Sequence, residues 1–248
     1  MASVSNNNKQ KENLKKWVRH IENIRLPIFF HVQKYIHFHG AIIELGAGTC
    51  WLSANLSRIP TVSQIIAIER DSERINLAQS YFLQIFHASM DKITILESDF
   101  HKLDFPDNSI DFIVADAALH HADNLLLLLQ ESYRVLKNKG LIVAIREPIL
   151  PSFLPLLIWR KYTFGWREQI KGATENIYSR EQWQKFFKST GFFLEFRPIF
   201  TSRTLKEKLV GSPILRWGNG FLFSRYFFIA SKSKSDMKQI PKFSNERI

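Results

Sequence analysis

Glu44-Leu45-Gly46-Ala47-Gly48-Thr49-Cys50 places two glycines, two positions apart, between a short apolar run and a helix-forming stretch from Trp51 to Ser57. Glycines at such a strand-to-helix turn let the backbone take positive φ and approach a ligand with no Cβ in the way. Alone, the pattern fits a tight βα turn equally well. Context adds weight, because Glu69, followed by Arg70, closes the next apolar run, where a carboxylate can accept two ribose hydroxyls. A nicotinamide dinucleotide calls for a third glycine at the position of Trp51, and an indole there argues against one. Further candidates stand at the ends of later apolar runs: Ser98-Asp99-Phe100, Asp116-Ala117, His120-His121 and Glu147. Each acid has a plainer reading as a solvated loop carboxylate or helix cap. His120 and His121 can cap a helix, line a pocket or, since imidazole titrates near neutral pH, exchange a proton.

Those groups need a scaffold. Ile42-Ile43-Glu44-Leu45, Ile65 to Ile68, Ile93 to Leu96, Ile110 to Ala115 and Leu141 to Ile145 read as strands. Helical segments from Asp71 to about His87 and from Asn124 to Leu136, the latter ended by Gly140, separate them. Five strands alternating with helices predict a parallel sheet covered on both faces. Ser179 to Gln182 predicts an N-cap for a helix stopped by Gly191, and Phe193–Phe196 and Tyr226–Ala230 predict two more strands. The expected fold is therefore α/β, Rossmann-like, with seven mostly parallel strands, helices on both faces and one antiparallel edge strand. Trp17, Ile21, Ile24 and Ile28 predict a helix pair through about His39. The expected organisation is a flexible tail over 1–15, one domain over 16–232 with a helical lid at 16–40 and an aromatic insertion at 149–178, and a flexible basic tail over 233–248.

The chain has 248 residues, 45% of them hydrophobic, which excludes a disordered or fibrous protein. Cys50 is the single cysteine, so neither an internal disulfide nor a multi-cysteine zinc site can form. His31, His37 and His39 cluster without an acid or thiol beside them, and no metal is expected. The net charge of +11 divides unevenly, for residues 41–150 carry 9 Lys and Arg against 14 Asp and Glu. An acidic centre is wrapped in basic flanks, so the charge and the chemistry need not share a partner. No apolar leader opens the chain, and the longest apolar stretch, Ile149 to Trp159, is cut by Pro151 and Pro155, which predicts a cytoplasmic protein. The basic segment Lys232 to Lys238 lacks the interleaved aromatics that stack on bases, favouring solubility or peripheral contact with an anionic membrane over nucleic acid.

Glu44 to Cys50, Glu69, Ser98-Asp99-Phe100, Phe105 to Asp111, Leu119-His120-His121 and Arg134 to Gly140 together resemble class I S-adenosylmethionine-dependent methyltransferases. The resemblance covers roughly residues 40 to 148 and is narrower for the small-molecule branch that includes quinone-ring and phosphoethanolamine methyltransferases. Cys50 stands where that family usually has a third glycine, and Asn138-Lys139-Gly140 where it has Pro-Gly-Gly, the latter expected to be a changed helix C-cap. The resemblance implies S-adenosylmethionine as cofactor. It places the backbone of Gly46, Ala47 and Gly48 at the methionine moiety, Glu69 at the ribose, Asp99 and Phe100 at the adenine, and Asp116 and Ala117 on the methionine side, with Glu44, Arg70 and Ser98 among the cofactor-binding residues. It also implies His120 as the catalytic histidine of a methyl transfer to a small, lipophilic acceptor; by position alone, His121 beside it and Glu147 leaving the fifth strand are candidates to contact that acceptor, Glu147 equally able to cap a turn. The alternatives are an RNA methyltransferase, a non-catalytic partner protein of the same fold, and a nicotinamide oxidoreductase.

Overall fold

The computed structural model describes residues 2–150, 176–199 and 226–241. Its main sheet contains β1 Gly40–Leu45, β2 Val62–Glu69, β3 Ile93–Glu97, β4 Ile110–Asp116, β5 Leu136–Ile145, β8 Phe193–Pro198 and β9 Tyr226–Ser231, in the order β3-β2-β1-β4-β5-β9-β8. Strands β1 to β5 pair in parallel, and β9 runs antiparallel to both β5 and β8. The expected antiparallel edge is thus present, with its reversed strand one place in from the margin. A two-residue ladder, β6 Ile149–Leu150 with β7 Tyr178–Ser179, brackets the expected insertion, whose residues 151–175 lie outside the described residues.

Alternation along the strands supplies two cores. Ile42, Phe112, Val114, Val143 and Ile145 face α1 Ala2–His20, α2 Leu26–Gln33, α3 Trp51–Ser57 and the helix that runs through α4 Ser72–Leu77 and α5 Leu83–Ile85. Ile43, Leu45, Ile113, Ala115, Ile142 and Ala144 face α6 Leu125–Val135 and α7 Arg180–Ser189. Burial on both faces explains why these strands read as unbroken apolar runs. Local signals hold as expected: Asp71 caps α4 by accepting from the Glu73 and Arg74 amides, and Ser179 with Gln182 forms a reciprocal capping box on α7. The crossover from β3 to β4 passes to the far side of β1, so the carboxyl ends of β1 and β4 flank the topological switch point where α/β sheets form their crevice.

Three segments depart from expectation. The first helix begins at Ala2, inside the expected tail, and is anchored to the core from Leu14 and Val18 onward. The last segment is not all tail, since α8 Lys234–Gln239 docks through Met237 and Ile240, three positions apart on one face, while the buried Arg197 donates to the carbonyls of Ile240 and Pro241. Counting basic residues hides that apolar pair. The third concerns Gly140, expected as a helix stop: α6 already ends at Val135 and Leu136 opens β5 directly opposite Ile110. Asn138-Lys139-Gly140 form a bulge in that strand rather than a helix cap, because the register jumps between Ile110 and Phe112. Glycine is required by close approach, since a Cβ would lie 2.8 Å from the Leu136 side chain and 2.9 Å from the Asp111 carbonyl oxygen. Gly140→Ala is expected to destabilise the protein by about 1–3 kcal/mol, read as a lower urea midpoint at unchanged slope.

Among the described residues, no helix is long and apolar enough to cross a membrane.

Candidate functional site

The turn after β1 is built on backbone strain. Gly46 and Gly48 have φ of 61° and 56°, and Cys50, a buried non-glycine, has φ of 55°. Positive φ recurs at Ala117 after β4 (53°) and Arg146 after β5 (59°). Each non-glycine residue there costs of order 1–3 kcal/mol, and three such residues at the carboxyl ends of adjacent strands mark this crevice as a functional edge. At Gly46 a Cβ would sit 2.8 Å from the Cβ of Ala118 and 3.7 Å from the ring of Phe100, whereas at Gly48 it would meet nothing within 4 Å. Gly46 is therefore a packing point between the β1 and β4 loops, and Gly48 borders open space. Burial pushes the Cys50 thiol up, so it remains protonated.

The first two acids have structural partners. Glu44, 1% exposed, accepts from the backbone amide and hydroxyl of Ser53, pinning α3 against β1. Burial raises its carboxyl to about 8 despite the Ser53 contacts, which makes it a neutral group behind the turn and not a wall of the crevice. Glu69 closes β2, where its Oε2 accepts from the Gly48 amide at 2.6 Å and its Oε1 from the Arg70 and Asp71 amides at 2.9 and 3.0 Å. Three of roughly four acceptor directions are taken, leaving Oε2 able to receive one further hydroxyl while Gly48 stays bound. Arg70 is exposed beside it.

Asp99 accepts from the His101 amide at 2.8 Å and from its ring Nδ1, and these bonds outweigh a burial penalty to hold the carboxyl below its ordinary range. His101 Nε2 in turn accepts from the Asn124 amide at 3.2 Å, fixing its tautomer. Ser98 is tied to β2, its amide donating to the Glu69 carbonyl, and half-buried Phe100 reaches back toward Gly46. Asp116, ending β4, is a hub: Oδ2 accepts from Trp51 Nε1 at 2.9 Å and Arg25 at 3.0 Å, and Oδ1 from Arg146 Nε at 2.6 Å. Ala117 donates its amide to the Ile145 carbonyl.

Glu147 has no exposed surface. Its Oε1 accepts from the Ala118 and Leu119 amides at 2.9 and 3.0 Å, and its Oε2 from the His120 amide at 3.2 Å and from His120 Nδ1 at 2.8 Å. Of the two readings available to Glu147, substrate contact or turn cap, the geometry supplies the second. A carboxylate can only accept, so Nδ1 carries a proton and Nε2 is the ring nitrogen that Glu147 does not hold. The His121 ring packs 4.0 Å from that of His120. His31, from the N-terminal histidine cluster, is spent on the Pro198 carbonyl.

The structure thus gathers Gly46 to Gly48, Glu69, Phe100, Asp116, Ala117 and His120 at one sheet edge, while Glu44 and Glu147 brace it from inside. Sequence reasoning did not single out Arg25 or Arg146 and read Trp51 only as an obstacle. Arg25 lies 91 positions from its carboxylate partner, and nothing local marks it among the basic residues of the flank.

Residues 43–144 match the family described as a methyltransferase domain. The chain is similar to the demethylmenaquinone methyltransferase of Staphylococcus aureus, 29% identical over 122 residues, covering 42% of this chain and 49% of the relative. The chain thus spans about half the length of the curated relatives it matches. In fold it resembles the YcgJ protein of Bacillus subtilis, at a TM-score of 0.61 and 17% identity over 84% of this chain and 99% of that one. A SAM-dependent methyltransferase of Aquifex aeolicus aligns at a TM-score of 0.55 and 16% identity, over 87% and 95% of the two chains.

Proposed function

We propose that this protein transfers a methyl group from S-adenosylmethionine to a small, lipophilic acceptor, with His120 as the base that takes the acceptor's proton. The observation that carries the reading is the meeting, at the switch point, of a glycine turn with open space beside Gly48 and a histidine whose tautomer is set by Glu147. The residues fit the cofactor: Gly48 presents no Cβ to it, Glu69 keeps one acceptor direction for a ribose hydroxyl, and Phe100 supplies an apolar surface beside Gly46. When bound, the cofactor supplies a sulfonium methyl, whose transfer disperses charge and asks the protein mainly for alignment and exclusion of water. The chain's part is to orient and deprotonate. His120 Nε2 removes a proton from the acceptor, while the buried Glu147 beside Nδ1 stabilises the imidazolium so formed. The N-terminal segment 16–40 serves as a lid, joined to the crevice by Arg25 and Asp116. The relative that acts on demethylmenaquinone supports a lipophilic ring as the acceptor class.

Calorimetry with S-adenosylhomocysteine tests the cofactor assignment. Binding to the native protein is expected where NAD shows none, and Glu69→Ala is expected to weaken it by roughly 10- to 150-fold through loss of a charge-assisted contact. Unchanged affinity in that variant removes Glu69 from the site, and absence of binding to the native protein removes the reading as a whole.

A further inference from the structure

Arg25 is a buried cation at the crevice with one hydrogen-bond partner among the described residues and a buried Nε that has none. It ends a π-helical segment, Ile21–Arg25, wedged between α1 and α2. The distortion has a local cause, since Pro27 has no N–H to give to the Asn23 carbonyl and the α-ladder cannot run through. Ile21 is wholly buried, and Arg25, four positions on, is directed with it toward the sheet, its side chain only 14% exposed. The guanidinium lies 5.2 Å from the ring of Trp17 and 5.9 Å from that of Trp51, so two indoles hold its plane.

A guanidinium carries five donors, and the single hydrogen bond of Arg25 among the described residues is NH1 to Asp116. Its Nε is buried without a partner. Asp116 does not depend on it, because the same carboxylate accepts from Trp51 and Arg146. Desolvation brings the Arg25 guanidinium down to about 10, with the Asp116 charge opposing and Arg146 adding to the shift, so it stays charged at neutral pH. A buried, charged fork with spare donors stabilises a carboxylate better than any other common group does, since fork and carboxylate match in geometry.

We infer that Arg25 forms a carboxylate-binding subsite at this edge, and that the carboxylate it takes is that of the cofactor's amino-acid moiety. The inference rests on the methyltransferase reading, in which that moiety faces Gly46 to Gly48 with Asp116 on the same side, one step past the turn through Trp51. It gives the lid a second task, because a residue of the N-terminal helices then reads the part of the cofactor that distinguishes it from a plain nucleoside. Asp116 becomes a positioning residue that holds the guanidinium through NH1 and leaves its other donors for the ligand.

Two ligands separate this from a packing role: S-adenosylhomocysteine, and 5′-methylthioadenosine, which keeps the nucleoside and sulfur but has no amino-acid tail. With Arg25→Met, which retains the apolar stem, affinity for S-adenosylhomocysteine is expected to fall about 10- to 150-fold while that for 5′-methylthioadenosine stays unchanged. Arg25→Lys, which keeps the charge but loses the fork, is expected to fall between native and Arg25→Met for the first ligand only. Equal losses for both ligands, or no loss for either, overturn the inference. Urea midpoints taken without ligand show whether each variant folds. Should Arg25→Met not fold, the selectivity of Arg25→Lys decides the matter by the same criterion. Failure of the native protein to bind either ligand is a different result, one that refutes the methyltransferase reading and this subsite with it.

Discussion

Replacing His120 with alanine is expected to lower turnover by about 10²- to 10⁴-fold without weakening S-adenosylhomocysteine binding. The split follows from where the ring stands. His120 lies on the loop after β4, held by Glu147 just past β5, whereas the Gly46–Gly48 turn is held by Glu69 at the end of β2. It also arrives with its proton placed: Nδ1 faces a carboxylate at 2.8 Å, so a neutral ring has nowhere but Nε2 to receive a second proton. Release of S-adenosylhomocysteine, followed over a panel of hydroxylated lipophilic rings as acceptors, gives the rate, and calorimetry gives the affinity. A rate that falls only as far as affinity does makes the histidine part of a wall. A rate that falls alone, with KM for the acceptor little changed, marks a group that acts in the transition state.

How much of this arrangement was legible beforehand depends on sequence distance. The βα grammar was readable because the central strands bury both faces and so appear as apolar runs, and because helix starts such as Asp71 and Ser179 carry their own caps. Gly46 and Gly48 could be found because positive φ favours glycine, yet Cys50, Ala117 and Arg146 adopt the same conformation and no residue type signals it. Gly140 misled for a related reason. Following a leucine-rich helix, it reads as a stop, but the constraint on it comes from Asp111, a residue 29 positions earlier brought close by strand pairing. The side-chain partnerships of the site were the least readable, since Arg25 with Asp116 and Glu147 with His120 span 91 and 27 positions and exist only once the sheet has formed. Glu147 was visible as an acid leaving β5. Nothing in its neighbours shows that its carboxylate points inward to three amides.

Glu147 should therefore separate stability from chemistry more sharply than any other residue in the protein. Glu147→Ala removes the acceptor for the Ala118, Leu119 and His120 amides and leaves them buried, which is expected to cost about 3–5 kcal/mol and to lower the urea midpoint accordingly. Glu147→Gln behaves differently. Its carbonyl oxygen can keep the Ala118 and Leu119 amides, so the loop holds and the loss is limited to about 1–3 kcal/mol from the donor now facing the His120 amide. Its NH₂ group, however, faces Nδ1, which must then accept, and the ring proton moves to Nε2. The base is thereby turned away from the acceptor, and turnover is expected to fall about 10²- to 10⁴-fold, approaching the His120→Ala value, in a protein that still folds and binds S-adenosylhomocysteine. Combining Glu147→Gln with His120→Ala should add little further loss, because one residue works through the other. Nitrogen-15 spectra of the histidine ring give a readout that packing alone does not move: Nδ1 protonated in the native protein and Nε2 protonated in Glu147→Gln. The same tautomer in both would leave Glu147 with the loop to hold and no part in orienting the base.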